Sequence, residues 1–286
     1  MHPYESPILT GQTGCKRLTI RSVQEDRFKT AIDTLVVEEP LEIRLDPQSA
    51  SLAVTMRTPG DDFDLVVGFL YNEGILRCRS DLVGLRYCDD TKSAGGKSQN
   101  VISVNLAGNA EIDFSTLQRY FFMSSSCGVC GKASINSLRQ RGARTVVDSF
   151  KLDASVLYGL PERLRSAQKN FAATGGLHAA ALFDGQGTLL RVREDIGRHN
   201  ALDKLIGALI LADKLPLSNS IVMISGRASF EVMQKCIMAG APMVCAVSAP
   251  SSLAVSMAEA FGVTLVGFLR EHRFNLYAGS SRVLLP

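Results

Sequence analysis

No apolar run in this chain approaches the ~18 residues that would suggest a membrane-spanning helix, so no membrane partner is expected. Its opening residues, Met1 to Thr19, hold no continuous apolar segment and do not read as a signal peptide. Excess charge is missing too: 31 basic and 28 acidic residues leave a formal net charge of +3. The densest basic group, Arg139, Arg141 and Arg144, is short and reads as a solvated face, so no nucleic-acid partner is expected. Seven cysteines are too sparse for a secreted disulfide scaffold, and reduced thiols are the default. With 24 Gly and 10 Pro, neither disorder nor a fibrous repeat fits. What remains is a cytoplasmic chain of 286 residues, 46% apolar, long enough for one or two domains with a sizeable core.

The first part reads as a small α+β unit, residues 17–114. Leu35 to Leu45 and Leu52 to Arg57 carry strand patterns bracketed by Pro40, Pro47 and Pro59. Asp61 or Asp62 is expected to cap a helix with Leu65, Val66, Phe69 and Leu70 on one face, ended by Gly74. A polar loop, Lys92 to Asn100, leads to an alternating strand, Val101 to Leu106. Residues 115–286 form the larger α/β domain. It begins with helical pattern from Ser115, then a short helix from Lys132 to Gln140 and another between Pro161 and Ala172. His178 to Phe183 and Thr188 to Arg193 flank a turn and predict a hairpin. Leu202, Leu205, Ile206, Leu209 and Ile210 then form the stripe of an amphipathic helix, with Asn200 and Asp203 suited to its start. Three β-branched or apolar runs follow, Ile221–Ile224, Met243–Val247 and Val263–Phe268, separated by helices ending at Gly240 and near Gly262. That alternation predicts parallel strands with right-handed crossovers.

Parallel order places Ser225 to Ser229, Ser248 to Ser252 and Phe268 to Arg273 beyond the C-terminal ends of their strands, on the edge where open α/β sheets bind ligands. Two of these segments lead into helix N-termini, which attract anions. They supply hydroxyls (Ser225, Ser229, Ser248) and guanidinium groups (Arg227, Arg270, Arg273), the residue types that hold phosphate. Taken singly, Ser225, Ser229, Ser251 and Ser252 read as helix caps; three segments on one edge point to a phosphorylated or nucleotide-like ligand. No glycine-rich loop of Walker or dinucleotide spacing accompanies them, which argues against ordinary ATP or NAD use. Glu194 to Asn200, with His199, is divided between helix capping and a place in that site. His178 reads as a core or turn residue.

Cys127-Gly128-Val129-Cys130 admits three chemistries. A zinc site needs about four ligands, and neither a second Cys pair nor histidine spacing supplies them. A redox pair would have one thiol acidified at a helix N-terminus. A sulfur carrier would hold a persulfide on a loop able to visit donor and acceptor, which the Ser124 to Ser126 and Gly128/Gly131 flanks suit. Residue chemistry leaves redox pair and carrier open. Cys78, Cys88, Cys236 and Cys245 read as packing residues.

Taken together, Cys127–Gly131, His178-Ala179-Ala180, Glu194–Lys204, Ser225–Ser229, Ala246–Ala249 and Phe268–Arg273 resemble the FdhD/NarQ family of formate dehydrogenase accessory sulfurtransferases. The resemblance implies a cytidine-deaminase-like fold for the larger domain, and a homodimer. It implies that a cysteine desulfurase loads Cys127 as a persulfide, with Cys130 assisting. The sulfur would pass to the molybdenum of a bis(molybdopterin guanine dinucleotide) cofactor destined for formate dehydrogenase. Cofactor or guanine nucleotide would contact Phe268, Leu269, Arg270, Glu271, His272 and Arg273, a segment with Glu271 and His272 between its basic ends. No permanent metal is implied: Ala179-Ala180 follow His178 where a zinc deaminase would carry Glu at the second place.

Overall fold

The structure, a computed structural model, describes residues 14–47, 49–88, 99–107, 131–147 and 150–285. Cys127, Cys130, the helix expected from Ser115 and the boundary expected near 114 lie outside them, as does most of the 92–100 loop.

The described residues open with a ribbon absent from the expectations, β1 (Cys15–Gln24) antiparallel to β2 (Arg27–Val36). Its turn residues, Glu25 and Asp26, both have positive φ, 48° and 62°, the geometry that matches strand twist in a two-residue hairpin. Most of both faces is exposed, so no apolar alternation marks it in the sequence. Next come β3 (Glu39–Leu45), β4 (Ala50–Arg57), α1 (Asp62–Asn72), β5 (Leu82–Tyr87) and β6 (Val101–Leu106). The strands form a sheet of order β4-β3-β6-β5, with β3 and β6 parallel.

Pro40 brackets nothing: it lies within β3 opposite Met56. The β6 ladder starts only at Glu42, so the N–H that proline lacks is not required there. Val101 to Val104 are buried consecutively rather than alternately, because β6 lies between two strands. Asp61 does precede α1, but with φ 54° and no capping bond; Asp62 instead receives Arg57 at 3.1 and 2.9 Å. Gly74, at φ 76°, ends the helix as expected.

The larger part contains α2 (Gly131–Gln140), β7 (Leu152–Asp153), α3 (Ala154–Tyr158), α4 (Leu160–Ala167), α5 (Lys169–Thr174), β8 (His178–Asp184) and β9 (Leu189–Asp195). It continues with α6 (Arg198–Leu211), β10 (Ser220–Ile224), α7 (Phe230–Met238), β11 (Met243–Ala246), α8 (Ser252–Phe261), β12 (Thr264–Arg270), β13 (Arg273–Ala278) and β14 (Val283–Leu284). The single helix expected over 161–172 is two, broken at Gln168 with ψ 79°. The main sheet has order β13-β12-β11-β10-β8-β9. β10, β11 and β12 are parallel, as their spacing predicts, and the β8–β9 hairpin flanks them. The class is therefore mixed α/β with several sheets.

Expected to be amphipathic, α6 is buried from Ala201 through Leu211. The main sheet covers one side and α1 the other, so no wet face survives. The two helices touch backbone to backbone: a Cβ at Gly68 would collide with the Asp203 carbonyl, and one at Gly207 with that of Asp64. One apolar cluster runs from Ile43 and Val104 of the small sheet through Val66 and Leu205 to Ile224 and Val244 of the main sheet. A second cluster covers the opposite face, with Phe150, Leu157, Phe183, Met223 and Leu269. Cys236 and Cys245 are packing residues in these clusters, whereas Cys78 is exposed and Cys88 half-buried beside polar side chains.

Candidate functional site

Because β8 runs antiparallel to β10, its first residue, His178, stands at the edge where β10, β11 and β12 end. There β9 also ends, at Asp195, and feeds α6. Backbone bonds knit the three loops of that edge. Ser248 N donates to Gly226 O at 3.3 Å, Ala228 N to Ala249 O at 3.2 Å, and Phe268 N to Ser248 O at 3.1 Å. Three helices start here, behind Gly197, Ser229 and Ser251, with free N–H groups and positive dipole ends.

The serines divide. Ser251 caps α8, accepting from Ala254 N at 3.2 Å, and Ser225 accepts from Ala179 N at 2.9 Å. Ser229 precedes α7 without a capping bond, and its Oγ is buried without a partner. Ser248 is half-buried and Arg227 exposed.

Most of the 194–204 stretch is a structural clasp. Asp195, fully buried, accepts from Thr58 N at 3.1 Å, Gly197 N at 2.8 Å and Asn200 Nδ2 at 3.2 Å, and pairs with Lys204 Nζ at 2.7 Å. Lys204 also donates to Thr58 O at 2.8 Å, and Asn200 to Met56 O at 2.7 Å. Glu194 receives Asn170 N and Phe171 N at the start of α5. Asp203 holds Lys235 at 2.6 Å and Asn72 at 2.6 Å. These groups bind the end of β4 to the sheet edge. Arg198, exposed, and His199, half-buried, remain for the site.

His199 Nε2 lies 2.8 Å from Glu231 Oε2, a close approach without the alignment of a regular hydrogen bond. Glu231 was not anticipated, since an acidic residue in a first helical turn reads as an ordinary dipole partner. The adjacent His199 holds the Glu231 carboxyl below the usual glutamate range. Burial, then the charges of Arg198 and His199, push His178 below the ordinary histidine value.

The 268–273 segment is no loop beyond a strand. Leu269 and Arg270 belong to β12, Arg273 opens β13, and Glu271-His272 is the turn between them. Leu269 is fully buried in the second cluster, so direct ligand contact there is excluded. Phe268 has φ 50° and is partly exposed, while Glu271, His272 and Arg273 are exposed. Arg270 donates to Val247 O, tying the hairpin back to the edge. The edge thus unites His178, Arg198, His199, Ser225, Arg227, Ser229 and Ser248, a donor set suited to phosphate esters, with the Glu231 carboxylate beside His199. Cys236 and Cys245 cannot serve as exposed nucleophiles: both are fully buried, and burial pushes the Cys236 thiol up to about 12.

Three comparisons bear on this arrangement. The sequence model of the FdhD/NarQ family matches residues 36–284. A Mycolicibacterium paratuberculosis protein named sulfur carrier protein FdhD is 52% identical over 88% of this chain and 92% of its own. The Streptomyces avermitilis protein of that name is 48% identical over 96% and 97%. In structure, the chain resembles a Desulfotalea psychrophila protein described as a formate dehydrogenase accessory protein. That likeness has TM-score 0.74 at 21% identity, covers 95% of this chain and all of that one, and speaks to the fold alone.

Proposed function

The chain belongs to the FdhD/NarQ family, and from that premise we propose that it is a sulfur carrier in formate dehydrogenase maturation. The observation that carries the reading is the match along nearly the whole length of relatives named sulfur carrier proteins. Cys127 is the persulfide carrier: its thiolate attacks the outer sulfur of a cysteine desulfurase persulfide. A new S–S bond forms on Cys127, and the desulfurase leaves as its thiolate. Cys130 assists or resolves that bond. The sulfur is destined for the molybdenum of a bis(molybdopterin guanine dinucleotide) substrate, which then passes to formate dehydrogenase. The sheet edge holds the phosphates of that substrate through Ser225, Arg227, Ser229, Ser248 and His199. Phe268, Arg270, Glu271, His272 and Arg273 form its rim. We place this activity in the cytoplasm, in a homodimer whose larger unit is cytidine-deaminase-like.

Intact-protein mass spectrometry after incubation with a cysteine desulfurase and free cysteine tests the chemistry. The expected result is a gain of one sulfur atom, removed by dithiothreitol and lost in Cys127→Ala. Binding of guanosine diphosphate should be unchanged in that variant. A reversible Cys127–Cys130 disulfide without sulfur uptake would instead mark a thiol–disulfide oxidoreductase. Binding and client protection without uptake would mark a cofactor chaperone.

A further inference from the structure

At the sheet edge, the first turns of α6 and α7 are bridged by one side-chain pair. His199 is the second residue of α6 and Glu231 the second of α7, and Nε2 of the one stands 2.8 Å from a carboxylate oxygen of the other. Nε2 of His199 is buried without a regularly aligned hydrogen bond, and the carboxylate beside it is the group placed to accept from it, which would leave Nδ1 to a ligand. Carboxylates that hold one nitrogen of a functional imidazole fix its tautomer and its orientation together. The surroundings require such a fixing group. Arg198 is next in sequence, His178 opens β8 at the same edge, and the positive ends of two helices converge here. Asp195 cannot do it, because its four partners occupy it in the clasp. Lys235, further along α7, is held by Asp203.

We propose that Glu231 is a positioning residue of the phosphate-binding edge: it sets the tautomer and orientation in which His199 meets the ligand. This rests on the sheet-edge binding reading above and adds a residue to it. Glu231 touches no reacting atom; it acts through His199.

The test combines affinity with a spectroscopic signature, using the full chain and guanosine diphosphate as probe. Calorimetric titration should show Glu231→Ala weakening binding about tenfold, the scale of one charge-assisted contact. Glu231→Gln, whose amide oxygen still accepts, should retain most of the affinity. In a His199→Gln background, Glu231→Ala should have no further effect; losses that simply add would overturn the proposal. With four histidines in the chain, 15N-resolved imidazole signals of the ligand-free protein read the ring directly. Wild type should keep the proton on Nε2 of His199, and Glu231→Ala should redistribute it. An unchanged signature overturns the proposal whether or not nucleotide binds. Failure of wild type to bind the nucleotide, with the signature changed as expected, overturns the ligand reading instead. Unfolding midpoints close to wild type exclude a folding defect as the cause.

Discussion

Four partners converge on the Asp195 carboxylate: Thr58 N just past β4, Gly197 N just before α6, and the side chains of Asn200 and Lys204 within it. A buried carboxylate is tolerable only when so paired, and removing its cation leaves an uncompensated charge. Lys204→Met should therefore destabilise the fold by about 3–5 kcal/mol, read from denaturant unfolding, and an effect under about 1 kcal/mol would contradict the clasp. The residue types of this stretch were legible in the sequence; their duties were not. Thr58 and Met56 lie far away along the chain, and nothing local to Glu194–Lys204 announces them. Ser251 went the other way, since its cap is a local device and is built as its sequence reads. Leu269 shows the limit of reading by segment: a motif resemblance carried six consecutive residues, and strand alternation turns this one inward.

Elements with strong period or order were readable. The three parallel strands, the β8–β9 hairpin and α1 stand where their patterns put them. What could not be read was the company each element keeps. The apolar stripe of α6 is one face of a helix that is buried all round, because α1 covers the rest through Gly68 and Gly207. In both glycines the added methyl would meet backbone rather than a movable side chain. Gly68→Ala and Gly207→Ala should each cost about 3 kcal/mol or more, beyond the usual overpacking penalty, because two helices must separate. Thermal unfolding of the purified variants checks this, and midpoints equal to wild type would show the crossing to be looser than described.

At the scale of the molecule, the boundary expected near residue 114 does not divide the larger apolar cluster. Ile43, Val104 and Val66 share that cluster with Leu205, Val244 and Met257. Two units joined through a common interior lose it together, so calorimetry should show one cooperative transition with matching calorimetric and van't Hoff enthalpies. Two resolved transitions would mean that the α1–α6 contact is an interface rather than a core.

The β1–β2 ribbon answers to neither cluster. None of its residues belongs to them, and Val23, Phe28 and Ile32 are 70%, 66% and 64% exposed. The family match begins at residue 36, where the ribbon ends. Changes along these two strands are felt by whatever meets them and hardly by the interior. The molecule thus carries apolar side chains outside its interior, while its sheet edge is held in place by packing.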